Sequence, residues 1–279
     1  MKIIRVFPRK TSMTPDDKDV RVNCFPDLFD EADKIHVSVT FTTDLQRAEE
    51  LAKQWERVAP VRIGGPATGE RGVEFVSGMY LKKGCVITSR GCPNHCWFCL
   101  VPKREGNVVR ELPITEGWNI LDDNILRCSE KHVRAVFEML NRQKKPITFS
   151  GGLEAAALKD WHIELLQQLN LEQIFFAYDT PDDLEPLRIA GKKLSETNIK
   201  QYKLRAYCLI GYKNDTFEKA ETRLRQCLDA GFMPMAMLYQ REQQPVEWKR
   251  FQTEWARPAI IKYIIKTKTN GNSTIYNNY

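Results

Sequence analysis

The segment Arg90-Gly-Cys-Pro-Asn-His-Cys-Trp-Phe-Cys99 places three cysteines on one short loop, directly after an apolar run at 84–89 that is typical of a buried strand. The spacing is C-x3-C-x2-C, so one loop can wrap around a single small inorganic core. Thiolates suit both iron–sulfur clusters and zinc. Three ligands leave one iron of a cubane open, whereas a structural zinc site needs a fourth ligand, which His95 or Cys85 could supply. The predicted metal ligands are Cys92, Cys96 and Cys99.

The composition of the chain sets broad limits on its class. Its 279 residues, 42% of them hydrophobic, suit one large domain or one domain with a smaller partner. The net charge of +6 permits an anionic ligand or nucleic acid without demanding one. We expect no disulfide framework among the eight cysteines, because the sequence shows no export signal. No apolar run has the length of a membrane helix, so we expect a cytoplasmic protein with no membrane association.

Apolar runs and helical periods alternate after residue 80, which predicts an α/β fold. The predicted strands are 84–89, 118–121, 147–149, 174–178, 204–210 and 233–238. The predicted helices are 129–140, with Ser129 as its cap, and 161–169, 184–194 and 216–230. Six strands joined by helices indicate a parallel sheet with right-handed crossovers, either open or curled into a partial barrel. Ligands of such sheets bind at the carboxyl ends of the strands.

A smaller βαβ unit is predicted before residue 80. Its strands are 2–7, 35–41 and one that starts at Val61 and stops at Gly64-Gly65-Pro66, its helix is 45–58, and 9–33 is expected to be a loop. The expected domains are therefore 1–80, a small α/β domain, and 81–240, the repeating βα region. The remaining segment, 241–279, is basic and helical, with a polar tail from Lys266 that we expect to fray.

The cysteine motif, with the aromatic residue Phe98 before its last cysteine, resembles the signature of the radical S-adenosylmethionine (SAM) superfamily. The preceding strand and following βα repeats are similar to that family's partial barrel over roughly residues 80 to 240. The resemblance implies a partial (β/α)6 barrel, a [4Fe-4S] cluster and SAM, which is cleaved reductively to a 5′-deoxyadenosyl radical that abstracts hydrogen from a substrate. It also implies a low-potential electron donor of the flavodoxin or ferredoxin type.

The resemblance further implies SAM contacts at the strand ends. The turn Asp122-Asp123-Asn124 resembles an acidic turn of the cobalamin-linked and methylthiotransferase-like branch, and Asp122 is expected to meet the SAM ammonium. A Gly-Gly-Glu-like segment with an extra Leu153 is expected to line the neighbouring wall, or else to be an ordinary strand-to-helix turn. Its residues are Gly151, Gly152 and Glu154.

Two later strand ends complete the expected cradle. Asp179 is expected near the ribose, with a helix N-cap as the alternative. Gly211 is expected near adenine, in a turn where Tyr212 replaces the proline and Asp215 the glutamate of the related branch. Arg90 and Arg104, which flank the cysteine loop, could each meet the SAM carboxylate or a substrate anion.

Other sequence features leave the substrate open. Residues 1–80 resemble a reduced version of the N-terminal α/β domain that binds cobalamin in one branch of that superfamily. The Asp-x-His-x-x-Gly motif of cobalamin ligation is absent around His36, so we expect no cobalamin. The region 241–268 combines basic and aromatic residues, which could bind RNA, although an amphipathic helix covering the sheet edge is the favoured interpretation. RNA is the leading substrate hypothesis by analogy with methylthiotransferase-like proteins alone. The alternative to an enzyme is a non-catalytic scaffold with a structural zinc or iron–sulfur site.

Overall fold

The computed structural model describes residues 1–71 and 74–269, with side chains described as far as residue 264. The chain is a mixed α/β protein with parallel sheets, as predicted. It divides into two compact units, Met1–Lys144 and Lys145–Tyr279. The domain boundaries expected near residues 80 and 240 stay predictions. Within the described residues, no helix is long and apolar enough to cross a bilayer.

The first unit begins with a four-stranded parallel sheet of order β2-β1-β3-β4. Its elements are β1 (Ile3–Phe7), β2 (Val20–Val22), β3 (Lys34–Ser38), α1 (Leu45–Trp55) and β4 (Val61–Gly64). Apolar strand residues such as Ile4, Ile35 and Val37 pack against Leu51 and Trp55 of α1. The prediction of a loop at 9–33 is wrong at β2, because pairing with β1 gives this short segment the hydrogen bonds that its own sequence does not specify.

Short elements make up the rest of the first unit. They are β5 (Cys85–Val86), β6 (Ser89–Arg90), α2 (Val101–Glu105), β7 (Arg110–Glu111), β8 (Asn119–Ile120) and α3 (Glu130–Asn141). β5 pairs with β8 in parallel, and β6 pairs with β7 in antiparallel fashion. The prediction of one strand over 84–89 is wrong, because the Thr88 amide donates to the Asp122 carboxylate and not to a neighbouring strand. The predicted cap of α3 is confirmed, since Ser129 Oγ accepts the amide of His132 at 3.2 Å.

The second unit contains four neighbouring parallel strands in chain order. Its elements are β9 (Ile147–Leu153), α4 (Asp160–Gln167), β10 (Leu171–Tyr178), α5 (Leu184–Ser195), β11 (Leu204–Ile210), α6 (Phe217–Asp229), β12 (Met233–Leu238), α7 (Val246–Ala256) and α8 (Pro258–Thr269). The predicted bounds of β11 and β12 are confirmed. The prediction of a strand over 147–149 that stops before Gly151 and Gly152 is wrong, because β9 continues to Leu153 through an irregular register with β10.

Three aromatic residues of the basic region pack within the second unit, whereas Tyr263 is exposed. Phe251 and Trp255 of α7 are buried, and Trp248 lies 4.4 Å from Phe217 of α6 between ring centroids. Buried rings cannot stack on nucleobases, so these contacts favour the covering-helix interpretation. The predicted polar tail starts inside α8, and its residues 270–279 lie outside the described part of the chain.

Candidate functional site

The cysteine loop lies in the first unit, between β6 and α2. Cys92, Cys96 and Cys99 are each half-buried, and the Cys99 amide donates to the Cys96 carbonyl at 3.0 Å to form a turn. All eight cysteines lie in the described residues, and none of them is in a disulfide. Gly91 enters the loop at φ +91°, where a Cβ atom would lie 2.3 Å from the Val108 carbonyl oxygen. This backbone conformation and close approach require glycine directly before the first predicted ligand.

Two carboxylates anchor the entrance to the loop. Asp122 is almost completely buried and accepts hydrogen bonds from the Thr88 amide and hydroxyl, both at 2.6 Å, and from the Ser89 hydroxyl at 2.7 Å. Burial raises the pKa of Asp122, although these bonds favour the charged form. Asp123 accepts the Gly91 amide at 2.8 Å, and burial raises its pKa as well. Both side chains therefore fix the backbone that carries the cysteines.

The sulfur atoms of the loop receive N–H donors. Asn124 Nδ2 lies 3.4 Å from Cys92 Sγ, and the Val101 amide lies 3.5 Å from Cys99 Sγ. Such N–H···S hydrogen bonds are one of the means by which proteins set the potential of an iron–sulfur cluster. Cys96 and Cys99 also line a cavity of about 300 Å³, together with His95 and Trp97.

The loop fits an iron–sulfur cluster in its donor chemistry. It offers three thiols on eight residues, two of them hydrogen-bonded at sulfur and two facing one cavity. Across residues 1–71 and 74–264, no three His, Cys, Asp or Glu side chains are grouped so that they could hold a metal ion. Of the proposed fourth zinc ligands, His95 faces the same cavity as Cys96, whereas Cys85 is buried on β5 beside Met13 and Asn119.

Phe98 and Cys128 occupy ordinary packing environments. The half-buried Phe98 ring meets Trp97 edge to face at 5.4 Å. Cys128 is half-buried beside Ser89, and burial raises the pKa of its thiol to about 11. A thiol with that pKa is protonated at neutral pH, so packing is favoured over a reactive cysteine.

The remaining predicted SAM contacts lie in the second unit. Gly151 and Gly152 are inside β9, with Gly152 at φ +86°, and the half-buried Glu154 follows the strand. Gly211 follows β11 at φ +71°, and its amide donates to Asp215 at 2.8 Å. Asp215 also pairs with Arg223 at 2.6 Å, so its carboxylate stabilises the turn after β11.

Asp179 at the end of β10 is not a helix cap. Thr180 precedes the 3-10 turn there, and Asp183 Oδ2 accepts the amides of Asp179 and Thr180 at 3.0 and 2.8 Å. The cap of this turn is therefore made by the Asp183 carboxylate and not by that of Asp179. Burial, with a smaller contribution from the charge of Asp183, raises the pKa of Asp179 to about 7.

Comparison with known proteins does not distinguish a radical SAM enzyme from a metal-binding scaffold. No family model matches the chain. No curated protein sequence matches it either. The activity is therefore inferred from the chemistry of the cysteine loop and its surroundings.

A second cavity in the first unit was missed by the sequence analysis. It measures about 400 Å³ and is lined by residues at the ends of β3 and β4, such as Ser38 and Gly64, and by Arg90 and Asp123 beside the cysteine loop. These residues are far apart in the chain, so no local motif marks the cavity. The only sequence signal was the Gly64-Gly65-Pro66 strand exit, which is typical of ligand sites at sheet edges.

Proposed function

We propose that the chain is a radical SAM enzyme. Its [4Fe-4S] cluster would be held by Cys92, Cys96 and Cys99, and its βα repeats would form a partial (β/α)6 barrel. The observation that carries the proposal is the C-x3-C-x2-C loop, which directly follows a strand and has N–H donors at the sulfurs of its first and last cysteines. When bound, the cluster and SAM would together supply a 5′-deoxyadenosyl radical that abstracts hydrogen from the substrate.

The residues around the loop have separate roles in this proposal. Asp122 holds Thr88 and Ser89, so it orders the strand that leads into the loop. Asn124 donates to Cys92 sulfur and would stabilise the more negative, reduced form of the cluster. The low-potential electron donor that such chemistry needs, and a cytoplasmic location, stay predictions.

Within the acidic turn, we assign the contact with the SAM ammonium to Asp123 and not to Asp122. Both oxygens of Asp122 already accept hydrogen bonds from Thr88 and Ser89, and the side chain is sealed from solvent. Asp123 is only half-buried and lines an open cavity, so it can accept a bond from a ligand. The expected SAM contacts of the second unit stay predictions: Gly151, Gly152, Glu154, Asp179 and Gly211.

The test is reductive cleavage of SAM. The protein is reconstituted anaerobically with iron and sulfide, reduced and given SAM, and 5′-deoxyadenosine is measured. We expect product from the native chain and none from a variant with Cys92, Cys96 and Cys99 changed to Ala. Cys24→Ala is the matched control, because Cys24 is an exposed cysteine outside the loop, and it should retain the product.

A second readout separates the enzyme from the scaffold. Because an open iron binds SAM directly, SAM should perturb the electron paramagnetic resonance spectrum of the reduced cluster. A well-formed cluster that neither binds nor cleaves SAM, even with RNA added as a candidate substrate, would replace the enzyme with a scaffold that carries a structural cluster. Retention of stoichiometric zinc in place of iron would point to the structural zinc alternative.

A further inference from the structure

The larger cavity of the first unit has the position and size of a small-molecule site. It lies where the parallel strands β3 and β4 end, the usual place for a ligand in an α/β protein. Its volume of about 400 Å³ falls in the range of ligand pockets. Its lining includes no cysteine, so it is a different cavity from the one at Cys96 and Cys99.

Arg90 is a partly buried side chain of this cavity whose hydrogen-bonding capacity is unused. Its Nε atom is buried without a hydrogen-bond partner, and the described residues offer its guanidinium no ion pair. Of the other arginines of the lining, Arg104 donates to Glu105 at 2.9 Å, Arg62 pairs with Glu70 at 3.3 Å, and Arg71 is exposed to solvent. A buried donor that is left unpaired is costly, so Arg90 is placed to receive an acceptor from outside the chain.

The charge of Arg90 indicates which acceptor it would take. A guanidinium presents a planar fork of donors that matches the oxygens of a carboxylate or a phosphate. Burial raises the pKa of Asp123, and the hydrogen bond from the Gly91 amide and the charge of the nearby Arg90 oppose that rise. Asp123 Oδ2 is engaged with the Gly91 amide. Beside the cysteine loop, the lining therefore has an anchored carboxylate, Asp123, and a guanidinium without a fixed partner, Arg90.

Another part of the lining is aromatic. His36 Nδ1 and the Tyr80 hydroxyl share a hydrogen bond of 2.6 Å, and the two rings stack at 6.0 Å and 21°. Burial, with the charges of Arg62 and Lys34, lowers the pKa of His36, so its ring is neutral at pH 7. Apolar side chains, among them Ile87 and Leu121, complete the walls.

We propose that this cavity binds a small organic anion with a carboxylate or phosphate group on Arg90 and an aromatic body beside His36 and Tyr80. Asp123 of this lining is the residue that the proposed function assigns to the SAM ammonium, so the anion is inferred as a second ligand beside SAM and not as SAM itself. Its binding at Arg90 can be measured with neither cluster nor SAM present. A carboxylate and a phosphate both present oxygen acceptors to the guanidinium, so the structure does not choose between them and the experiment below does.

Binding is measured by calorimetry on the full chain with matched pairs of probes. Uridine 5′-monophosphate is the phosphate probe and indole-3-propionate the carboxylate probe, with uridine and indole-3-propionamide as their neutral counterparts. We expect at least one anion to bind more tightly than its neutral counterpart, and the preferred anion identifies the chemical source. Two anions that bind no better than the neutral probes would overturn the proposal.

Matched variants then test the anchor. Arg90→Gln should weaken the preferred anion by about tenfold or more, the usual loss for a charged hydrogen bond. Arg62→Gln, which removes an exposed cavity arginine that is already paired, should change binding by about twofold at most. Equal losses in the two variants would contradict the role of Arg90. Thermal melts establish that each variant is folded.

A cavity-filling variant covers the case in which Arg90→Gln does not fold. Among the described residues, a Cβ atom on Gly64 would meet Glu70 Oε2 at 3.8 Å and no backbone atom within 4 Å, so Gly64→Leu introduces no clash at its Cβ. Because Gly64 lines the cavity, the added side chain should abolish binding, and unchanged affinity would sink the proposal. The variant with Cys92, Cys96 and Cys99 changed to Ala should bind the probe normally. Failure of SAM cleavage and failure of this site are thereby distinguishable.

Discussion

The cysteine loop and the strands of the second unit are ordered by different forces. β10 and β11 are eight and seven residues long, pair along a continuous ladder and carry buried apolar residues such as Ile174, Phe176 and Ala206. β5, β6 and β8 have two residues each. Near the loop, the bonds that longer strands would make to each other are replaced by bonds to Asp122 and Asp123.

This difference matters for function, because a loop that binds a metal cluster through cysteines must expose its thiols at an open edge of the sheet. Backbone groups there cannot all be used in a sheet, so buried carboxylates satisfy them instead. In the second unit carboxylates accept backbone amides in the turns after strands, at Asp183 and Asp215, but the strands themselves are ordered by apolar burial and strand pairing. Substitutions should therefore act through polar contacts in one region and through packing or burial in the other.

The largest effect is expected at Asp122. Asp122→Ala leaves the Thr88 amide and two hydroxyls without their buried acceptor, so the free energy of unfolding should fall by about 3 kcal/mol. Chemical denaturation measures the loss. Asp123→Ala is the control, since Asp123 is half-buried and accepts a hydrogen bond from Gly91, and it should cost about 1 kcal/mol. Equal losses at the two positions would show that Asp123 stabilises the fold as much as Asp122 does.

A smaller, pH-dependent effect is expected at Asp179 in the second unit. Its pKa of about 7 in the folded chain lies above the value of about 3.9 for an unfolded aspartate, so the folded state holds the extra proton between these values. The free energy of unfolding should therefore fall as pH rises from about 4 to 7, and the loss is complete above about 7. Asp179→Asn stays neutral and should gain stability over the native chain at pH 8, on the order of 2 kcal/mol.

Thermal unfolding at pH 5 and pH 8 tests this effect. The gain from Asp179→Asn should be larger at pH 8 than at pH 5. Asp182→Asn is the matched control, because Asp182 is an exposed aspartate three residues along the chain, and its change should be small at both values. A gain that is the same at both pH values would show that ionisation of Asp179 costs the fold nothing.

The same contrast explains what the sequence could predict. β11 and β12 are long apolar runs, so their bounds follow from local pattern, and the cap of α3 at Ser129 follows from its side chain. β2, β7 and α2 were missed because they are short, and their neighbours decide their conformation.

At the site, the cysteine loop could be predicted because its ligands are close in sequence. The role of Asp122 could not be predicted, because the local sequence is the same whether an aspartate after a strand contacts a ligand or the backbone. The cavity at Arg90 was equally hidden, because whether a guanidinium has a partner depends on residues distant in the chain.

The smallest effect is expected from packing, at Gly191 on α5. A Cβ atom there would lie 1.8 Å from the Ala230 carbonyl oxygen, so alanine forces the helix away from the segment after α6, at about 2 kcal/mol. Alanine also favours the helix over glycine by about 1 kcal/mol, which offsets part of that cost. Gly191→Ala should therefore lower the free energy of unfolding by about 1 kcal/mol.

Chemical denaturation of Gly191→Ala should be compared with Lys192→Ala on the same helix, whose exposed side chain makes it a control for composition alone. Lys192→Ala should change stability by no more than about 0.5 kcal/mol. If Gly191→Ala were as stable as the native chain or more so, the helix would have room to move at no cost. The helices of the second unit would then be packed more loosely than its continuous strand pairing indicates. Packing would distinguish the second unit from the cysteine loop less sharply than we expect.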